Sequence, residues 1–138
     1  FWDEAMMFPG AQQIAEGHHL LRSLPLHRFE PHPEWVKLDL RWGRDAYLLD
    51  PRPFAAGVPG ECRVAYLPLR WYHWDGPVVC DLEPGVVYSA PYVDPSTMQS
   101  FDLGLATGDA AGQWRGPTLP YMHDWLLVLR LCRSEALT

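Results

Sequence analysis

The longest unbroken apolar run in this chain is Trp125-Leu126-Leu127-Val128-Leu129, held between Asp124 and Arg130. Such a run is too short for a helix core and suits a strand. Trp125, Leu127 and Leu129 then point one way, and Leu126 and Val128 the other. Both faces are apolar, which predicts a central strand covered on both sides. A second sheet covers one face, and something else must cover the other. Ile14, His18, Leu21 and Leu24 recur at helical spacing and predict a helix over residues 10–24. Pro9 suits its first turn and Pro25 its stop, while Gly17 weakens it by up to about 1 kcal/mol. That helix is the candidate second cover.

The remaining pattern is short strands and turns. Residues 26–33 read as an irregular link rich in His and Pro. Residues 35–40 alternate loosely, 46–49 form a short apolar run, and 53–60 read as a loop. Residues 61–67 and 78–82 predict a hairpin. Cys62, Val64 and Tyr66 share one face, and Val78, Cys80 and Leu82 share one face of the partner. Pairing centred on Trp71 sets Cys62 opposite Cys80, leaving open a disulfide or a pair of buried thiols. Strands follow at 86–93, 100–104 and 113–116, separated by turns at 96–99 and 106–112 and followed by a loop at 117–120. Seven or more strands with closely spaced turns predict a mainly β chain, an antiparallel β-sandwich of about seven to eight short strands.

Composition supports this. The chain is 48% apolar and 13% aromatic, so its 138 residues can build one core. Fourteen prolines and eleven glycines favour short elements. The net charge is −6, and ten of the eleven basic residues are Arg, with Lys37 the single lysine. No basic cluster predicts a nucleic-acid partner or an anionic membrane patch, and no apolar run reaches the roughly 20 residues of a membrane span. The chain opens on Phe1 and reads as mid-protein, which predicts a fragment.

Candidate chemistry is sparse. Glycoside hydrolysis needs two carboxyl groups facing each other about 5 to 9.5 Å apart. Asp75, Asp81, Glu83 and Asp94 sit at turns and strand ends, and no spacing pairs them. His18, His19, His27 and His32 fit no metal-binding spacing. Cys132, His123 and Asp124 could be drawn as a nucleophile set, but adjacent strand residues diverge. No catalytic residue, metal or cofactor is expected from this chain. Trp71, Tyr72 and Trp74 crowd three large aromatics into four residues and suit a platform for stacked sugar rings. Arg70, His73 and Asp75 beside them could supply hydrogen bonds. Trp114 is a second carbohydrate-contact candidate. For these rings the alternative is packing.

Three motifs occur in order: Tyr66-Leu67-Pro68, Tyr92-Val93-Asp94-Pro95-Ser96-Thr97, and Asp124-Trp125-Leu126-Leu127-Val128-Leu129. The chain resembles the collagen-binding domain family of collagenases, the C-terminal β-sandwich module of apiosidase-like glycoside hydrolases. Phe8-Pro9-Gly10-Ala11-Gln12-Gln13 resembles the start of the last helix of the (β/α)8 barrel that precedes the module. Tyr92 stands where the family favours Trp, and Met98 where its turn usually has Gly. The resemblance implies a terminal helix and linker of a truncated barrel domain at residues 1–33 and a C-terminal β-sandwich domain at 34–133. It implies an upstream barrel as partner, catalysis residing in that barrel, polysaccharide as a further partner, and an extracellular or periplasmic location. An apolar patch is expected near Met6, Met7, Phe8 and Ile14, where the barrel would sit. The alternatives are a self-sufficient glycan hydrolase domain and a protein-binding module for which collagen is the family's label.

Overall fold

A computed structural model describes residues 4, 9–37, 53–68 and 76–133. Among them are an α-helix, α1 (Pro9–Arg22), two single-turn 3-10 helices (Leu26–Arg28 and Pro33–Trp35) and nine strands. The strands are β1 (Glu30–Pro31), β2 (Val36–Lys37), β3 (Phe54–Val58), β4 (Cys62–Leu67), β5 (Val78–Val79), β6 (Tyr88–Val93), β7 (Ser100–Ala106), β8 (Trp114–Arg115) and β9 (Trp125–Leu131). They form two antiparallel sheets, a six-stranded one in the order β1-β3-β4-β9-β6-β7 and a three-stranded one in the order β2-β5-β8. The expected β-sandwich is present.

Strand β9 is interior, hydrogen-bonded to β4 on one side and β6 on the other. Trp125, Leu127 and Leu129 enter the inter-sheet core with Leu67, Tyr88, Tyr92, Val36 and Val79. Val128 and Leu126 face the opposite way and pack with Leu20, Leu24, Phe29, Val64, Val93 and Met98. The second apolar face is therefore covered in part by α1 and the turn that follows it, as the helical spacing predicted.

The contacting stripe differs from the expected one. Leu24 is buried and Leu20 packs beside it, whereas His18 and Leu21 are exposed. The helix ends at Arg22, and the Ser23 hydroxyl donates to the Leu20 carbonyl at 2.6 Å. Leu24 thus reaches the sheet from the turn, out of step with the helical period. Met6, Met7, Phe8 and the Ile14 side chain lie outside the described residues, so the patch expected there does too. The same holds for the apolar run at 46–49.

Two other expectations fail. Residues 53–60 are not a loop, because Phe54–Val58 is strand β3, paired with β4 through a turn at Gly60. Its Ala-Ala-Gly centre carries no visible apolar alternation. At Gly57 a Cβ would come within 2.2 Å of the Cys62 carbonyl oxygen, so this close approach requires glycine. The hairpin of 61–67 with 78–82 does not form either. β4 pairs with β3 and β9, and β5 belongs to the other sheet. Cys62 lies on the α1 side of the large sheet, Cys80 follows β5, and Cys62, Cys80 and Cys132 are all free thiols.

Arg63, on the inward face of β4, ties the two sheets together. Its guanidinium donates to the carbonyls of Cys80 at 2.8 Å and Asp81 at 2.5 Å, just after β5, and to Glu83 at 3.0 Å. It also stacks 3.9 Å from the Trp35 ring. Burial pushes the Glu83 carboxyl up, but the hydrogen bond from Tyr88, with Arg63 beside it, holds it below the usual carboxylate range. Asp81 takes a positive φ of 55° beside this contact.

Candidate functional site

The strand registers bring the ends of β2, β4, β6 and β8 and the starts of β3, β5, β7 and β9 to one end of the sandwich. Trp71, Tyr72 and Trp74 fall between β4 and β5 in the sequence and lie outside the described residues, as do Arg70, His73 and Asp75. The flanking backbone is firmly held. Pro68, Gly76 and Pro77 are buried. A Cβ on Gly76 would meet the Gly116 carbonyl oxygen at 1.9 Å, so the two backbones touch there. The Gly116 N–H donates to the Pro77 carbonyl at 2.9 Å, and the Tyr92 hydroxyl donates to the Pro117 carbonyl at 2.6 Å.

The motif residues at this end serve the fold. Asp94 is 2% exposed and accepts from the Ser96 amide at 2.8 Å, the Ser96 hydroxyl at 2.6 Å and the Tyr121 hydroxyl. Burial alone would raise its pKa, but these donors outweigh it and bring the carboxyl to about 2. Tyr121 packs against Phe101 and Trp125, and the Trp125 indole donates to the Tyr121 carbonyl at 3.1 Å. Asp124 accepts from the Tyr66 hydroxyl at 2.6 Å, which pushes the Tyr66 phenol up to about 12. Only the motif order hinted at this Asp94–Tyr121–Trp125 set, because Tyr121 stands far from Asp94 in sequence.

The other candidates disperse. Glu83 and Asp94 lie beyond opposite ends of β6, each engaged in structural hydrogen bonds. Cys132 is separated from His123 and Asp124 by the whole of β9, roughly 20 Å of extended chain. His18, His19 and His27 are exposed. His32 stacks on Trp35, with ring centroids 3.9 Å apart, and bonds Glu34 at 2.7 Å and Glu30 at 3.0 Å. The Glu34 hydrogen bond, then that of Glu30, raises its pKa.

The three-stranded sheet contributes one more feature. Val36, Val79 and Trp114 form its inward row, and Trp114 is half-buried against the core. Lys37, Val78 and Arg115 form the outward row. That row floors a cleft of about 440 Å³, walled by Asp109 and Gln113 from the turn before β8. The Asp109 carboxylate accepts from the amides of Ala111 and Gln113, each at 2.9 Å, so it fixes this wall. Among the described residues neither the Lys37 ammonium nor the Gln113 carboxamide has a hydrogen-bond or ion-pair partner. Sequence reasoning assigned no ligand chemistry to the cleft residues, which come from separate stretches of the chain.

No family model matches this chain. No curated protein matches it either. Among solved structures, a chain described as a glycoside hydrolase matches with a TM-score of 0.65 over 94% of this chain, at 15% identity. This chain spans 27% of the length of that one. At that identity the likeness shows a shared fold, a β-sandwich that occupies about a quarter of a glycoside hydrolase chain.

Proposed function

We propose that this chain is a non-catalytic β-sandwich module of a glycoside-hydrolase-like protein, one that packs on a (β/α)8 catalytic barrel and contacts carbohydrate. The observation that carries the proposal is the asymmetric match, which takes in nearly all of this chain and about a quarter of the hydrolase. The α1 side of the large sheet supports it. Phe54, Tyr66, Leu126 and Val93 form one cross-strand row there. Val93 is buried under the α1 cover, while Phe54 is 66% exposed and Tyr66 38%. An apolar strip next to a helix that covers the same face is a place for a further body to pack. The Asp94 and Glu83 carboxylates are committed to the fold, which agrees with catalysis lying elsewhere.

The test compares hydrolysis of branched plant glycans by this chain alone and by a longer protein that includes the upstream region. Activity is expected only in the longer protein. Turnover by this chain alone would establish a self-sufficient hydrolase instead. Glycan contact is assigned to Trp71, Tyr72 and Trp74. The double variant Trp71→Ala, Trp74→Ala is expected to lose the retardation that the parent shows on polysaccharide affinity gels. Unchanged mobility of the folded variant would remove the platform.

A further inference from the structure

We propose that the cleft over the outer face of β2-β5-β8 is a binding subsite for an acidic sugar, a uronate residue of a glycan. The proposal deepens the carbohydrate-contact reading above and rests on it. The cleft's volume, about 440 Å³, lies in the range of small-molecule sites and suits one or two sugar rings. Its composition suits a carboxylated sugar better than a neutral or purely apolar ligand. Lys37 and Arg115 flank Val78 from the two outer strands, so their backbones stand about 10 Å apart. The stems of Lys37 and Arg115 offer apolar contact to a ring's C–H face, and the Lys37 ammonium offers donors to a carboxylate. Gln113 adds a carboxamide that can donate to one hydroxyl and accept from another. The turn that carries it is pinned by Asp109 and by Gly112, whose N–H donates to the Asp109 carbonyl at 2.9 Å. The wall is thus preorganised.

Charge sharpens the case. The chain carries a net −6 and a single lysine, and that lysine lines this cleft. Asp109, the acid in the lining, has its carboxylate turned to backbone amides. A carboxylate entering the cleft would meet the Lys37 ammonium on a protein whose overall field repels anions. Recognition would then be local, and a short acidic oligosaccharide is the fitting probe.

The test titrates this chain by NMR with trigalacturonate and with an aldouronic trisaccharide, each against its methyl ester. The ester keeps the shape and removes the charge. At least one acid form is expected to bind about tenfold tighter than its ester, the range of one charge-assisted hydrogen bond. Shifts are expected at Val78, Gln113 and Arg115. Lys37→Ala should abolish the preference for the acid and leave ester binding unchanged, and Lys37→Gln should do the same if the alanine variant folds poorly. Gln113→Ala should weaken both forms. Equal affinity for acid and ester, or an acid preference that survives loss of Lys37, overturns the subsite. Retardation by neutral polysaccharides without any response to either acid overturns the subsite and leaves the glycan-contact reading standing. Failure to bind any glycan, acidic or neutral, overturns both.

Discussion

The two faces of the large sheet are closed in different ways. The inward face meets a second sheet, and Trp125, Leu127 and Leu129 are at most 2% exposed there. The outward face meets one helix and its following turn, which bury Val128 and Val93 yet leave Phe54 two-thirds exposed. Both faces of β9 were apolar in sequence, but only one has a full partner among the described residues. Apolar patterning therefore specifies that a face must be covered and leaves the covering element unspecified.

Truncating a side chain on each face measures this asymmetry. Leu127→Ala should cost about 3 to 4 kcal/mol in chemical denaturation, because a wholly enclosed site cannot collapse around the cavity. Leu24→Ala, on the helix-covered face, should cost about 2 kcal/mol, because α1 can settle onto the sheet. Equal losses would mean that the helix is held as rigidly as the second sheet.

A smaller effect lies at the rim of the same outward face. Met98 adopts a φ of 59° and still packs against the helix-side cluster. Its N–H donates to the Asp94 carbonyl at 2.7 Å, which holds the turn. Met98→Ala would lose the packing and keep the left-handed strain, whereas Met98→Gly would lose the packing and relieve it. The glycine variant should be the more stable of the two by about 1 kcal/mol, the reverse of their usual order. Equal melting temperatures would show that this turn is relaxed.

The mildest effect concerns the edge of the inward face, where His32 stacks on Trp35 between Glu30 and Glu34. Its pKa is raised in the folded chain. The associated stability is therefore fully present below the unfolded value near 6.5 and fades as pH climbs through the higher folded value. The melting temperature of the parent should drift down relative to His32→Gln as pH rises from about 5.5 to 9. Parallel curves for the two proteins would show that the histidine contributes stacking alone.

Local pattern made much of the fold legible. The β9 run, the α1 spacing, the Asp94-Pro95 stop and the turn before β8 were each readable because the signal lies within a few neighbouring residues. Strand β3 was missed because Ala55, Ala56 and Gly57 show no alternation, and the partner of β4 was misassigned because nearness in sequence favoured residues 78–82. At the candidate site, the aromatic stretch could be found by composition. The cleft could not, since Lys37, Val78 and Arg115 come from three separate parts of the chain.

The sequence by itself determined that β9 would be a strand buried on both faces, that many short strands would surround it, and that a helix would precede them. Those follow from periodicity and turn chemistry, which act over a handful of residues. Tertiary structure alone decided that β4 would lie between β3 and β9, that Cys62 would not face Cys80, and that Lys37 and Arg115 would share a cleft. Strand partners are chosen by the burial available across the whole core, and no local segment carries that information.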